Sequence, residues 1–378
     1  MDAPDEALIL ARTPGLHAGR LRDDPELLAA PARLLRASPA RLRSLMLGEA
    51  AIAWLLHPDI ALIAEDRRWL QDGQIHLVPW GAEAYPGRLA EIPDPPLLLF
   101  VHGPPEHLAR PQIAIVGTRH PTPAGRETAL SFAACLAQAG VTITSGLARG
   151  IDAAAHLGAL EHGRTLAIVG TGLDSVYPPE HAVLQARILA AGGAVASEFP
   201  RGTPPLKGHF PQRNRLISGL ALATVVVEAA HNSGSLITAR SAAAQGRDVF
   251  VVPGSIHNVQ SRGCHALIRE GAQLVESADQ ILQDLKIPFQ KQWVDPTETP
   301  SSPPVATPGR LDKAYEILLD GLGFAPVGVD ELVARTGLDC QTLAAMLLVL
   351  ELSGVVAMHS GGRYQRVRRV ATRQQGIS

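Results

Sequence analysis

Cysteine is nearly absent from this chain of 378 residues: Cys135, Cys264 and Cys340 are odd in number and far apart. Their spacing excludes a disulfide framework and the paired ligands of a zinc site, and it fits a reducing compartment. Lysine is scarce as well, so nearly all the positive charge is arginine. The arginine fork suits phosphate oxygens, but a GC-rich genome also replaces Lys with Arg, and that explanation stands first. There is no basic excess, since 34 Lys and Arg against 36 Asp and Glu leave a net charge of −2. Nucleic-acid binding therefore cannot be argued from overall charge, and any cations serving it must be gathered in one place. No apolar run approaches the roughly 18 residues that cross a bilayer. Met1 to Leu10 carries Asp2, Asp5 and Glu6 without a basic segment, so it does not read as a secretory leader. H-E-x-x-H spacing and a G-x-S-x-G elbow are both missing. The expectation is a cytoplasmic, soluble, non-enzymatic protein without membrane contact, metal or cofactor.

A hydrophobic fraction of 46% can build real cores, and the length suggests two or three domains. Residues 1–84 read as a small helical unit, with apolar residues at helical spacing from Leu27 to Leu56 and helix starts at Ser38-Pro39 and Asp59. Thr13-Pro14-Gly15-Leu16 is a weak echo of a helix-hairpin-helix turn and reads better as a packing turn. A Pro-rich connector with one strand, Leu97 to Val101, opens the unit 85–285. Within it, short β-branched runs (113–116, 141–144, 166–169, 194–197, 224–227, 249–252 and 273–275) alternate with Ala-rich helical stretches. Strands apolar on both faces and separated by helices predict an α/β fold, a doubly wound, mostly parallel sheet. Residues 286–310 form a Pro-rich linker. Residues 311–369 predict three helices and a hairpin, the winged-helix arrangement, around Leu332, Val333, Leu338, Leu343 and Leu350, and 370–378 a disordered tail.

Ligands of such a sheet bind where strand C-termini meet helix N-termini, and free N–H groups there suit anions. Three loops fall at these places. Gly117, Thr118 and Arg119 follow the first strand; Ser145, Gly146 and Arg149 follow the second, ahead of Asp152 as a helix N-cap; Ser233-Gly234-Ser235 opens a later helix. Each alone is an ordinary βα turn, but three on one rim point to phosphate. A fourth segment, Lys207 to Arg215, packs Lys207, Phe210, Arg213, Asn214 and Arg215 into nine residues. Cations interleaved with an aromatic suit a nucleic-acid strand, charge following the backbone and ring stacking on base. The dinucleotide reading of Gly170-Thr171-Gly172 is weak, because Ser175 replaces the last glycine and no ribose-binding acid follows. Glu198 and Glu228 end strands, and a cap or arginine partner suits them better than catalysis.

Together these motifs resemble the DprA (Smf) family of bacterial DNA-processing proteins. The resemblance runs from Tyr85-Pro86-Gly87 to Ile281 through IVGTRHPT at 115–122, SGLARGIDAAAH at 145–156, GLDSVYPPEH at 172–181, SEFPRGTPPLKGHFPQRNRLISGLA at 197–221 and SGSLITARSAAAQGRDVFVVPG at 233–254. It implies an extended Rossmann-like domain between a small N-terminal helical (SAM-like) domain and a C-terminal winged helix. It also implies a homodimer formed through the Rossmann-like domain, which binds single-stranded DNA, protects incoming DNA in natural transformation and helps load the RecA recombinase. By the same carry-over Arg119 and Lys207 are the main phosphate contacts and Phe210 the stacking ring. Gly117, Thr118, Ser145, Gly146 and Arg149 line the phosphate path, with Arg213, Asn214 and Arg215 nearby. The chain departs from the family pattern at Thr118, Ala124 and His265, none of which removes a cation. Two other readings remain. One is a nucleotide-binding or nucleotide-hydrolysing Rossmann-like enzyme, for which Val252-Pro253-Gly254-Ser255 is only a partial echo without its Glu. The other is a regulator acting through the winged helix, whose candidate recognition helix, Cys340 to Ser353, has few basic residues.

Overall fold

The computed structural model describes residues 3–162, 165–288, 313–322, 326–359 and 361–366. The chain begins with α1 (Ala3–Ala11), α2 (Pro25–Ala29), α3 (Pro39–Ser44), α4 (Glu49–Leu56) and α5 (Ile60–Asp72). Ser38 and Asp59 cap α3 and α5 through their side-chain oxygens, as their positions before apolar-periodic segments predict. The Thr13 hydroxyl donates to the Ile9 carbonyl and Gly15 takes a positive φ of 67°, so the Thr-Pro-Gly-Leu stretch is a turn closing α1.

A nine-stranded sheet follows. Its elements are β1 (Ile75–Pro79), α6 (Gly87–Ala90), β2 (Leu98–His102), β3 (Gln112–Val116), α7 (Pro123–Gln138), β4 (Thr142–Ser145), α8 (Ile151–Ala159) and β5 (Thr165–Ile168). Then come α9 (Ala182–Ala190), β6 (Ala194–Ser197), α10 (His209–Leu220), β7 (Ala223–Val226), α11 (Ser235–Ala244), β8 (Asp248–Val251), α12 (Arg262–Arg269), β9 (Gln273–Leu274) and α13 (Ala278–Asp284). The strand order is β1-β2-β6-β5-β4-β3-β7-β8-β9. From β6 to β9 every pairing is parallel, while β1 and β2 are antiparallel additions at one edge. The sequence reading placed Ile75–Pro79 in the helical region. Instead it is a strand, because Ile75 and Val78 bury their side chains while the backbone pairs in register with β2, from Ile75 opposite His102 to Pro79 opposite Leu98.

The two hydrophobic faces of the sheet are covered separately. One face packs Ile113, Ile115 and Val225 under α7 and α8, while the other packs Ala114, Val116 and Val226 against α10 and α11. The N-terminal helices share a core with Ala167, Val169 and Val195. Chain order runs outward from β3 through β4, β5 and β6, then returns to β7 on the opposite side of β3. The crevice at that reversal is where an open parallel sheet offers a ligand site.

The winged helix comprises α14 (Lys313–Leu322), β10 (Val327–Gly328), α15 (Val329–Thr336), α16 (Cys340–Leu352), β11 (Val356–His359) and β12 (Arg363–Arg366). Its hairpin gains β10 as a third strand, which is too short to leave a pattern in the sequence. Leu332, Leu343 and Leu350 are buried in its core, with Leu318, Leu322 and Leu347, while Val333 and Leu338 are only partly buried. The expected linker beyond Pro288 and the expected tail lie outside the described residues.

The α7–α8 crossing depends on Gly158: a Cβ there would lie 2.1 Å from the backbone oxygen of Leu130. Backbone cannot step aside cheaply, so Gly158→Ala is expected to destabilise the protein by about 3 kcal/mol, the upper end of overpacking costs. Urea denaturation would register this as a lower midpoint at unchanged slope.

Candidate functional site

At the chain reversal lies a cleft of about 750 Å³. Gly117, Thr118, Arg119, Lys207, Phe210 and Asn214 line it, with Arg213 at its inner side and Ser233 to Ser235 on the far wall. Three separate loops and α10 thus meet in one depression. Ser145, Gly146, Arg149 and Arg215 do not line it.

The first loop is shaped by packing. Gly117 sits where a Cβ would lie 2.6 Å from Ile151 and 2.9 Å from the carbonyl oxygen of Glu228. The Thr118 N–H donates to that same carbonyl, and the Thr118 hydroxyl accepts from the His120 N–H at 3.2 Å. These bonds turn Arg119 outward. It is exposed and makes no ion pair or hydrogen bond through its side chain among the described residues. Thr122 then caps α7 by accepting from the Gly125 N–H, while its own N–H and hydroxyl donate to the Glu228 carboxylate. Glu228 is therefore a buried brace for the loop. Burial pushes its carboxyl above the usual range, against the pull of the Thr122 bonds.

From His209 the fourth segment is the helix α10, and helical periodicity sorts its cations. Phe210 and Asn214, four positions apart, face the cleft, and the exposed Lys207 precedes them at its mouth. The Phe210 ring lies 5.4 Å from that of Tyr177 at an interplanar angle of 39°, so two aromatics stand together by the cleft. Tyr177 is not among the expected site residues and stands in the sequence reading only inside the GLDSVYPPEH stretch.

Arg213 and Arg215, both expected near the strand, are engaged within the fold, Arg213 at the inner side of the cleft and Arg215 outside it. Arg213 is 4% exposed. It donates to the carbonyl of Gly146 at 2.6 Å and to that of Ile168, tying the ends of β4 and β5 to α10. Burial lowers the guanidinium to about 10, the field of Asp152 opposes this, and the nearby Arg119 adds to it. Asp152 lies in the first turn of α8, one residue past its start, with Gly150 at the N-cap position. Its carboxylate accepts from the N–H groups of Gly146 and Ala148, and burial raises it against the attraction of Arg213. Arg215 pairs with Glu198 and approaches Asp94, its side chain only 14% exposed.

The second loop also differs from expectation. Ser145 is fully buried and its hydroxyl donates to the Ile115 carbonyl, bridging β4 to β3. Gly146 is required because a Cβ would lie 2.5 Å from the Arg213 guanidinium. Arg149 is exposed but paired with Glu180. Such a surface pair is worth little and opens readily, so Arg149 is a cation beside the cleft rather than in it. In the third loop, Ser233 and Ser235 share a 2.7 Å hydroxyl contact at the start of α11, whereas Arg240 turns away to Glu270.

This division separates scaffold from surface. Arg213→Ala is expected to cost about 3 kcal/mol of stability, because it strands two carbonyls and the Asp152 charge in the interior. Arg119→Ala is expected to stay within about 0.5 kcal/mol of the parent, as surface changes do. Parallel urea titrations of the two variants would test this; equal midpoints would show that Arg213 is not part of the scaffold.

Two family models match the chain: DNA recombination-mediator protein A over residues 76–286 and the DprA winged helix domain over residues 300–362. Protein Smf of Escherichia coli is 44% identical over 306 residues, covering 80% of each chain. DNA processing protein DprA of Streptococcus pneumoniae is 45% identical over 205 residues, 54% of this chain and 72% of that one. Its crystal structure superposes with a TM-score of 0.66 at 34% identity, covering 77% of this chain and all of the other. DNA processing protein A of Helicobacter pylori, whose structure addresses its single-stranded DNA binding mode, superposes at 0.51 with 31% identity over 56% of this chain and 96% of its own. On sequence and on fold alike, the chain belongs to the DprA/Smf family of DNA recombination mediators.

Proposed function

We propose that the protein binds single-stranded DNA in the cleft between the Gly117–Arg119 loop, α10 and the start of α11. The observation that carries this reading is the pairing of two exposed cations without ion pairs among the described residues, Arg119 and Lys207, with the Phe210 and Tyr177 rings by one depression. Cations neutralise backbone phosphates, while ring faces accept any base, so the expected binding is salt-dependent and weakly selective for sequence. Gly117, Thr118 and Asn214 shape the path, and Arg149 serves from its edge. Ser145, Gly146, Arg213 and Arg215 act beneath it, as the frame that holds the loops.

In this reading the protein is a mediator rather than an enzyme. It covers single strands entering the cell in natural transformation and helps load RecA on them, working in the cytoplasm as a homodimer built on the α/β domain. The match to the DNA recombination-mediator model supports the mediator role. No single helix among the described residues is long and apolar enough to cross a membrane. The acids the sequence singled out are already engaged, Glu198 by Arg215 and Glu228 by Thr122, which disfavours a nucleotide hydrolase.

Fluorescence anisotropy with labelled oligothymidylate tests the binding. The wild type should bind, with log Kd rising with log salt by about 0.7 for each phosphate neutralised. The Arg119→Ala/Lys207→Ala pair should weaken binding at least tenfold without shifting the urea midpoint. Retained affinity in the double variant would remove the cleft from the DNA path. Incubation of the wild type with AMP should release no free base, and release of adenine would restore the hydrolase reading.

A further inference from the structure

The loop 117–122 has a second side. Around it lies another groove, of about 950 Å³, bordered by the starts of α7 and α8 and by Ala357 to His359 of the wing strand β11. Arg119, His120 and Gln260 border both depressions, so the two adjoin at this loop. The second groove carries the same kind of charge. Arg126 of α7 is exposed and makes no ion pair or hydrogen bond through its side chain among the described residues. His120 and His181 stand along the groove, and among the described residues Glu127 is the only carboxylate lining it. The N-terminal ends of α7 and α8, helices of 16 and 9 residues, open on it at Pro123 and Gly150. Their dipoles add positive potential to that of Arg126. On the outer wall, Met358 exposes 56% of its surface, an apolar face within a cationic channel.

We propose that the DNA strand does not end in the first cleft but continues past Arg119 into this second groove, between α7–α8 and the wing. The proposal rests on the single-strand reading of the first cleft. Arg126 takes a phosphate there, and Met358 packs on a base or sugar. The winged helix thus acts as the outer wall of a single-strand path, which explains how an element with few cations on α16 contributes to binding. The shared border at Arg119 and matching charge favour the same polyanion over a separate protein partner.

The test uses the full-length protein and a ladder of oligothymidylates from about 4 to about 16 nucleotides, the span of single-strand sites on small modules. Wild-type affinity should climb along the ladder. Arg126→Ala should leave the shortest strand at wild-type affinity and lower the salt slope for the longest by about 0.7, the share of one phosphate. Arg126→Glu should weaken the longest strand about tenfold. A photo-crosslinking amino acid at position 358 should capture the long strand and not the short one. Arg126 variants indistinguishable from wild type at every length, with no crosslink at 358, would overturn the extended path while Lys207→Ala still lowers binding throughout. An equal loss for short and long strands in Arg126→Ala would overturn it too. Failure of the first-cleft reading has a different signature, in which Arg119→Ala and Lys207→Ala are both without effect at every length.

Discussion

The rim of this sheet is organised around a cation that no ligand reaches freely. Arg213 projects from α10 into the interior and donates to the carbonyls that end β4 and β5, next to Asp152 in the first turn of α8. Burying a charge costs several kcal/mol unless polar partners surround it, so the geometry of those partners is strongly constrained. Gly146 must lack a side chain to make room, and its N–H is taken by Asp152 while its carbonyl is taken by Arg213. The loop after β4 is thereby held by both of its polar groups. Glu228 does the equivalent for the loop after β3, through the N–H and hydroxyl of Thr122. Two buried ionisable side chains, Arg213 and Glu228, thus hold the loops that frame the crevice.

That constraint sorts the cations of the region. A basic side chain whose fork meets carbonyls or carboxylates in the fold is spent on structure, and one turned to the cleft is left for a ligand. On α10 the separation is a matter of angle: Phe210 and Asn214 share a face, Arg213 points inward and Arg215 to the side where Glu198 waits. The free electrostatic potential at the site therefore comes from Arg119 and Lys207, with the buried Arg213 adding a positive background beneath them.

Much of the fold was legible because buried parallel strands and Ala-rich helices leave opposite periodicities in the sequence. The βα loops stood out for the same reason, and the cleft does gather Gly117, Thr118, Arg119, Lys207, Phe210 and Asn214. Residue type alone leaves side-chain direction open. Lys207 to Arg215 is one cluster of charges in sequence, but on a helix successive residues diverge by about 100° and its cations part. Ser145 and Gly146 looked like a phosphate cradle because glycine and serine serve loop packing and anion binding equally well. Tyr177 and the second groove were invisible for a different reason: they arise where distant segments meet, and β11 lies over two hundred positions from Arg119.

The net charge of −2 loses its force as an objection once the acids are located. Arg12 meets Asp66, Arg43 meets Glu49, Arg215 meets Glu198, Arg240 meets Glu270 and Arg247 meets Glu91, all away from the crevice. These carboxylates neutralise arginines elsewhere in the N-terminal and α/β units. Around the loop 117–122, Arg119, Lys207 and Arg126 stand without such partners among the described residues. Local potential falls off over about a Debye length, some 8 Å in physiological salt, so a distant excess of acid does not cancel it. On the single-strand reading, a nearly neutral protein gains a polyanion site where exposed cations stand without ion pairs, and an arginine-rich composition matters only there.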